Sequence, residues 1–247
     1  MFVSLWNTVV YEPFYNGLIF LSALVPTHDV GIAIILLTII VKFALYPLSR
    51  KATQSQVEMK RLEGPISVLK EKYASDRTKL AQETMELYKK HGVNPASGCL
   101  PALIQIPFII GLYTVFLRGI TIDPAHLYSF VPHPESLNTL FLGLVELSEK
   151  KHVLFAILAG VSQFAYSLSM AKNTPKPTGP AKNSQEEFGR AMQMQMKYVF
   201  PGMITIMAYQ FSVAVALYWV VGNIVSILQD IWTRHELKKA QSGMTPL

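Results

Sequence analysis

Four long stretches of this chain are almost free of charge. Gly31 to Val41 is eleven uncharged residues, and past the single Lys42 the stretch continues through Phe43 to Leu48. Cys99 to Leu117 and Val153 to Ala171 are nineteen residues each, and Tyr198 to Gln229 is thirty-two. About 20 apolar residues cross the hydrocarbon core of a bilayer, so each run is a candidate transmembrane span. A soluble core could bury one such helix, but 247 residues leave too little chain to cover four. Composition agrees: only 15% of residues are charged, against about 25% in a soluble domain. The single cysteine, Cys99, excludes an internal disulfide framework and a Cys-rich metal site.

The thirty-two-residue run would reach about 48 Å as one helix, well beyond a hydrocarbon core of about 30 Å. Five Lys/Arg lie between Lys172 and Lys197 before it, and Arg234, Lys238 and Lys239 follow it. Basic loops stay on the cytoplasmic side. Both flanks lie there only if the run crosses twice, turning near Gln210-Phe211-Ser212. Five spans follow, the last two short. They put eighteen Lys/Arg inside and three outside (Arg118, Lys150 and Lys151), with Lys42 alone within a span. The N-terminus is then outside and the C-terminus cytoplasmic.

The expected fold is an all-α polytopic membrane protein. It divides into an exterior N-terminal interfacial helix (1–27), a first span (28–48), a cytoplasmic helical hairpin (49–96), spans two to five (97–232) and a cytoplasmic tail (233–247). The third of these spans is flanked by an exterior loop (118–152) and a cytoplasmic loop (172–197). Val9 to Pro26 is apolar but carries Glu12 and Asn16 and lacks the basic start of a signal peptide. It reads as a helix on the outer interface with Trp6, Tyr11, Phe14 and Tyr15 at headgroup level; a sixth span is the alternative.

Residues 49–91 switch to a charged, Gln-rich composition. Met59, Leu62, Ile66 and Leu69 step by 3, 4 and 3, an a/d-like seam. Leu80, Thr84, Leu87 and Tyr88 continue it on a second helix. Ser75-Asp76 marks the break between the arms, with Lys79 where a capping box would have Glu. Gly64-Pro65 should interrupt the first arm. Such a hairpin serves either as an inert solvated element or as a docking surface. Residues 172–187, with three prolines and a glycine, read as a flexible linker. Met192, Met194 and Met196 suit core packing or adaptable contacts.

Lys42 is the chemically informative residue. A charge at mid-membrane costs about 2.5–3.5 kcal/mol on insertion scales. Lys42 could snorkel to the cytoplasmic interface, roughly 9 Å away by helix rise. Alternatively it faces a polar cavity. Thr38 sits one turn earlier on its face, and Gln105, Gln163, Gln210, Ser212, Asn223 and Gln229 are further polar residues in spans. Each alone suits a helix–helix hydrogen bond. The six histidines lack metal-ligand spacing within a span, and no hydrolase, nucleotide or phosphate-loop motif occurs. The chain therefore reads as neither enzyme nor ATP-driven pump, with no cofactor or metal. A small transporter or channel using the lysine is the alternative, although transporters more often show repeats and facing charges.

The order of features resembles the YidC/Oxa/Alb family of membrane protein insertases. The resemblance rests on Val41-Lys42-Phe43-Ala44-Leu45-Tyr46-Pro47-Leu48 and on Leu87-Tyr88 followed by Asn94-Pro95. It continues in Gly98-Cys99-Leu100-Pro101 with Leu103-Ile104-Gln105-Ile106-Pro107, then Leu217-Tyr218-Trp219 with Asn223, over roughly residues 25–232. It implies an inner-membrane protein with five core spans around a groove open to lipid and cytoplasm and closed outside. It also implies insertion of nascent membrane proteins without nucleotide hydrolysis, with the Sec translocon and the ribosome as partners and no nucleic-acid specificity. Lys42 takes the place of the family's groove arginine with Thr38 beside it, and Gln105, Tyr218 and Trp219 are further lining candidates. Three departures stand out: lysine for arginine, a minimal chain with no large exterior domain before the core, and a short basic tail.

Overall fold

The computed structural model describes residues 2–94, 100–117, 122–132, 135–172 and 184–242. The N-terminal stretch comprises α1 (Phe2–Trp6), a π-helical turn (Asn7–Tyr11) and α2 (Glu12–Leu24). A second π-helical turn, Gln195–Val199, joins α9 (Ser184–Met194) to α10 (Phe200–Gln210). Each wide turn ends two residues before a proline, Pro13 or Pro201. A helical proline lacks its N–H and crowds the carbonyl four residues back. The chain widens there, so that Glu12 N–H reaches Asn7 O and Phe200 N–H reaches Gln195 O.

The first uncharged run forms α3 (Val30–Ala44), capped by Asp29, whose carboxylate accepts from Gly31 N at 2.7 Å and Ile32 N at 3.2 Å. After Leu45 the chain bends by 58° into α4 (Tyr46–Arg61). Pro47 in the first turn of α4 accounts for the bend. Next come α5 (Glu63–Lys72), α6 (Arg77–Lys90), α7 (Leu100–Leu117), α8 (Val153–Ala171) and, after α10, α11 (Val213–Ser242). α11 is the hub: it packs on α8, α3, α4 and α7, while α10 lies along α8 and α2 along α3.

The thirty-two-residue run breaks at Phe211-Ser212, where expected, but the helix after the break is not short. α11 has 30 residues, about 45 Å. It carries the chain past Asp230 and Arg234, so residues 233–242 continue the helix. By length and apolarity α8 and Val213–Ala240 each suffice to cross a membrane, and α3 with α4 would form a third, bent span. The N-terminal stretch also differs from the expected arrangement of aromatic rings at a surface. Tyr11 and Tyr15 turn inward and join Leu18 and Ile19 in the core.

Only the far part of the expected hairpin projects. The first half of α4 is held against α11, with Ala52, Thr53 and Gln56 buried. The interruption falls at Leu62, and Pro65 occupies the first turn of α5, where its missing N–H costs nothing. Beyond it α5 and α6 share a small separate core of Leu62, Ile66 and Val93 with Met59, Leu87 and Tyr88. Burial there pushes the Tyr88 phenol up. Asp76 caps α6 by accepting from Lys79 N at 2.9 Å.

The loop between α7 and α8 forms a lid rather than a solvated strand. It holds a two-stranded hairpin, β1 (Leu140–Phe141) with β2 (Val145–Glu146), and buries Val131 and Leu147. Its backbone is tied to the break before α11: Val213 N donates to Glu149 O at 2.9 Å and Lys151 N to Tyr209 O at 2.9 Å. His126 lies edge-on to Tyr11 with Nδ1 3.6 Å from Glu12. Arg118, His133, Pro95 to Cys99 and linker residues 173–183 lie outside the described residues.

α8 and α10 approach closely at Gly160, where an added Cβ would fall 3.2 Å from Thr205 Cβ and closer still to its hydroxyl. Gly160→Val is expected to destabilise the bundle by about 1–3 kcal/mol through overpacking. The check is a lower thermal-unfolding midpoint in detergent than for the parent chain.

Candidate functional site

Lys42 lies in the last turn of α3, just before the proline bend. Its Nζ does not run out along the helix surface. It donates to Gln105 Oε1 on α7 at 3.0 Å, and Gln105 Nε2 donates to the Tyr218 hydroxyl on α11 at 2.5 Å. Three helices thus converge on one chain of polar contacts. The Lys42 backbone joins in, since Gln229 Nε2 donates to Lys42 O at 2.9 Å.

The α11 side of this cluster follows from helical spacing. Tyr218, Gly222 and Gln229 are separated by 4 and 7 residues, which puts them on one stripe. Gly222 makes room for the lysine stem. A Cβ there would fall 3.3 Å from Lys42 Cε and 3.8 Å from Thr38 Cγ2. Thr38 is buried, and its hydroxyl is already used, donating to Ile34 O at 2.6 Å. The narrow crevice beside it is lined largely by apolar side chains, among them Leu37, Val41 and Leu112. Trp219 lies about 100° further round α11 and belongs to the apolar core. The structure therefore brings Lys42, Gln105 and Tyr218 together, sets Thr38 alongside, and places Trp219 in the packing behind them.

A second stripe on α11 faces α8, and it escaped the sequence reading. Asn223, Asp230 and Arg234 are separated by 7 and 4 residues. Asn223 Nδ2 donates to Ser162 Oγ at 3.1 Å, and Ser169 Oγ donates to Asp230 Oδ2 at 2.7 Å. Arg234 completes an ion pair with Asp230 and donates to Ser169 Oγ at 2.7 Å. Thr53 on α4 also donates to the Asp230 carboxylate, at 3.4 Å. Asp230 is 3% exposed, and a buried carboxylate needs such partners to offset its desolvation. Beside it Arg50 pairs with Glu236 at 3.2 Å and Tyr46 stacks on Trp232. The 7-and-4 spacing of Asn223, Asp230 and Arg234 was the available signal.

The fold and the site together define a helical membrane protein in which a lysine amine is held where α3, α7 and α11 meet. Residues 20–240 match the family described as 60Kd inner membrane protein, and the chain belongs to that family. Its relatives carry the name Membrane protein insertase YidC. One from Oleidesulfovibrio alaskensis is 35% identical over 92% of this chain and 38% of its own length. Another from Nitratidesulfovibrio vulgaris is 34% identical over 92% of this chain and 38% of its own length. A third, from Oceanobacillus iheyensis, is 35% identical over 92% of this chain and 83% of its own length. The chain thus spans well under half of the first two relatives and most of the third.

Asp230→Ala would strand Arg234 and leave Ser169 and Thr53 without their shared acceptor. A loss of about 3 kcal/mol is expected, since breaking a buried pair from one side is strongly destabilising. Asp230→Asn keeps an acceptor and should cost less. Thermal unfolding of the two purified variants checks the order. Equal midpoints would show that the carboxylate charge contributes nothing.

Proposed function

We propose that the chain is a membrane protein insertase, which passes nascent membrane proteins into the bilayer along a polar groove centred on Lys42, without nucleotide hydrolysis. The observation that carries this reading is the Lys42 ammonium, held by Gln105 among α3, α7 and α11. A hydrophilic tail crossing hydrocarbon loses several kcal/mol for each polar group left without a partner. A cluster of an ammonium, an amide and a phenol within the bundle supplies such partners part-way across. The ammonium also attracts acidic side chains of the passing segment. Thr38 and Trp219 support the groove in this reading: Thr38 with Gly222 backs the lysine stem, and Trp219 keeps α11 packed.

The family and its relatives' printed name support the same reading. The clients are nascent membrane proteins, released laterally into lipid, and the ribosome and the Sec translocon are further partners on the cytoplasmic side. The basic residues of α5 and α6 suit a docking role there. The eighteen-to-three distribution of Lys/Arg favours an outside N-terminus, cytoplasmic C-terminus and five spans. Proteolysis of tags at the two ends in intact cells tests that orientation.

Lys42→Arg is expected to retain insertion, because the charge is kept. Lys42→Ala should slow insertion most for single-span clients with acidic exterior tails. Gly222→Val, which displaces the lysine stem, should resemble Lys42→Ala. The measurement is insertion into vesicles holding equal amounts of each variant, with ion flux recorded alongside. An Ala variant that inserts acidic-tailed clients at the parental rate would overturn the role of the charge. Ion conduction lost with Lys42 and no insertion at all would favour a channel.

A further inference from the structure

The lid loop carries an apolar tip that its own turn does not require. Between β1 and β2 the chain reverses through Leu142-Gly143-Leu144, with Leu144 N donating to Phe141 O at 3.0 Å. Leu142 has φ +52° and Gly143 φ +71°. Two successive positive φ values are the sign pattern of a type I′ turn, which favours Asn-Gly, Asp-Gly or Gly-Gly. Leucine pays steric strain in that region, where Asn or Gly would fit better. It is nevertheless 61% exposed, and Leu144 is 81% exposed. Leu137 to Val145 contains no charged residue. A strained, exposed leucine beside another exposed leucine is unfavourable in water and is accounted for by an apolar partner.

The position of the turn identifies that partner. Asp29 Oδ2 accepts from Leu142 N at 2.8 Å, Val30 N donates to Asn138 O at 2.9 Å, and Asn138 N donates to His28 O at 3.0 Å. Phe141 lies over Gly31 so closely that a Cβ there would overlap its ring. The tip is therefore fixed to the start of α3, at the end of the bundle away from the α5–α6 hairpin. Asp29 itself is buried, and the turn sits against the first residues of α3. Further along α3, Leu36 and Ile40 are exposed, as lipid-facing residues of a membrane helix are. The helix to which the turn is fixed thus carries exposed apolar side chains, and the turn adds two more at its start.

We propose that the Leu142–Leu144 turn is a lipid anchor, inserting its leucines just beneath the headgroups beside α3. Anchoring would hold the lid at a set depth in the bilayer. The inference depends on α3 lying in the membrane and on neither insertase activity nor orientation.

The test uses the full chain in phosphatidylcholine–phosphatidylglycerol vesicles. Cys99→Ser removes the native thiol, and Leu144→Cys takes a nitrobenzoxadiazole label. Lipids brominated near the headgroup should quench the label, and iodide should not. Adding Leu142→Asn suits the turn better and should leave the thermal midpoint unchanged or raised. It should lower the inserted-to-free ratio by roughly tenfold, as expected for withdrawing most of one leucine from hydrocarbon. A label open to iodide and untouched by brominated lipid would overturn the anchor. So would a label shielded from both in a chain that runs as a dimer, since the tip would then face a second copy.

Discussion

The Lys42 ammonium is the constraint to which the neighbouring helices are fitted. A cation inside a bundle needs hydrogen-bond acceptors, and a bundle of leucines and valines offers few. The acceptor comes from Gln105, which is itself oriented by the Tyr218 hydroxyl. The space comes from Gly222. The proline bend after Leu45 turns α4 away along α11. Gln229 then bonds the Lys42 carbonyl beside that bend. These devices lie on three helices, Tyr218, Gly222 and Gln229 all on α11, so the site exists only once α3, α7 and α11 have assembled.

The two ends of the bundle are built differently. At one end the lid threads backbone hydrogen bonds into the α10–α11 break and into the cap of α3. Glu146 helps hold the lid: partial burial opposes its charge, but hydrogen bonds from Ser148 and Thr139 keep its carboxyl below the usual range. At the other end α5 and α6 have a small core of their own. That core also takes in Met59 of α4, and α4 is fastened to α11 by Thr53 and Arg50. Local stability of this kind follows contact density, and elements with their own small core open more easily than the main one.

How much could be read from the sequence depended on the length scale of the signal. Charge-free runs gave the helices, and the length of the last run, set against the charges flanking it, gave the break at Phe211-Ser212. Asp76 was legible as a cap because capping is local. Lys42, Gln105 and Tyr218 were all named, but their contact was not, because 63 residues separate the first pair and 113 the second. Trp219 shares a motif with Tyr218 yet points elsewhere, as adjacent helical residues must. The burial inside the α7–α8 loop was not legible for another reason. A stretch with few periodic residues reads as solvated loop, and nothing local in His126 or Leu147 announces burial.

Lysine in place of arginine fits this particular bundle. An arginine fork presents five donors in a plane and calls for several acceptors. Around Lys42 the described side chains offer chiefly one, the Gln105 carbonyl oxygen. An ammonium on a flexible stem can be held by a single strong contact while the stem lies against Gly222. An arginine here would keep the charge, with water supplying the additional acceptors that its fork calls for. The site therefore couples the identity of its cation to the smallness of residue 222 and to the reach of Gln105.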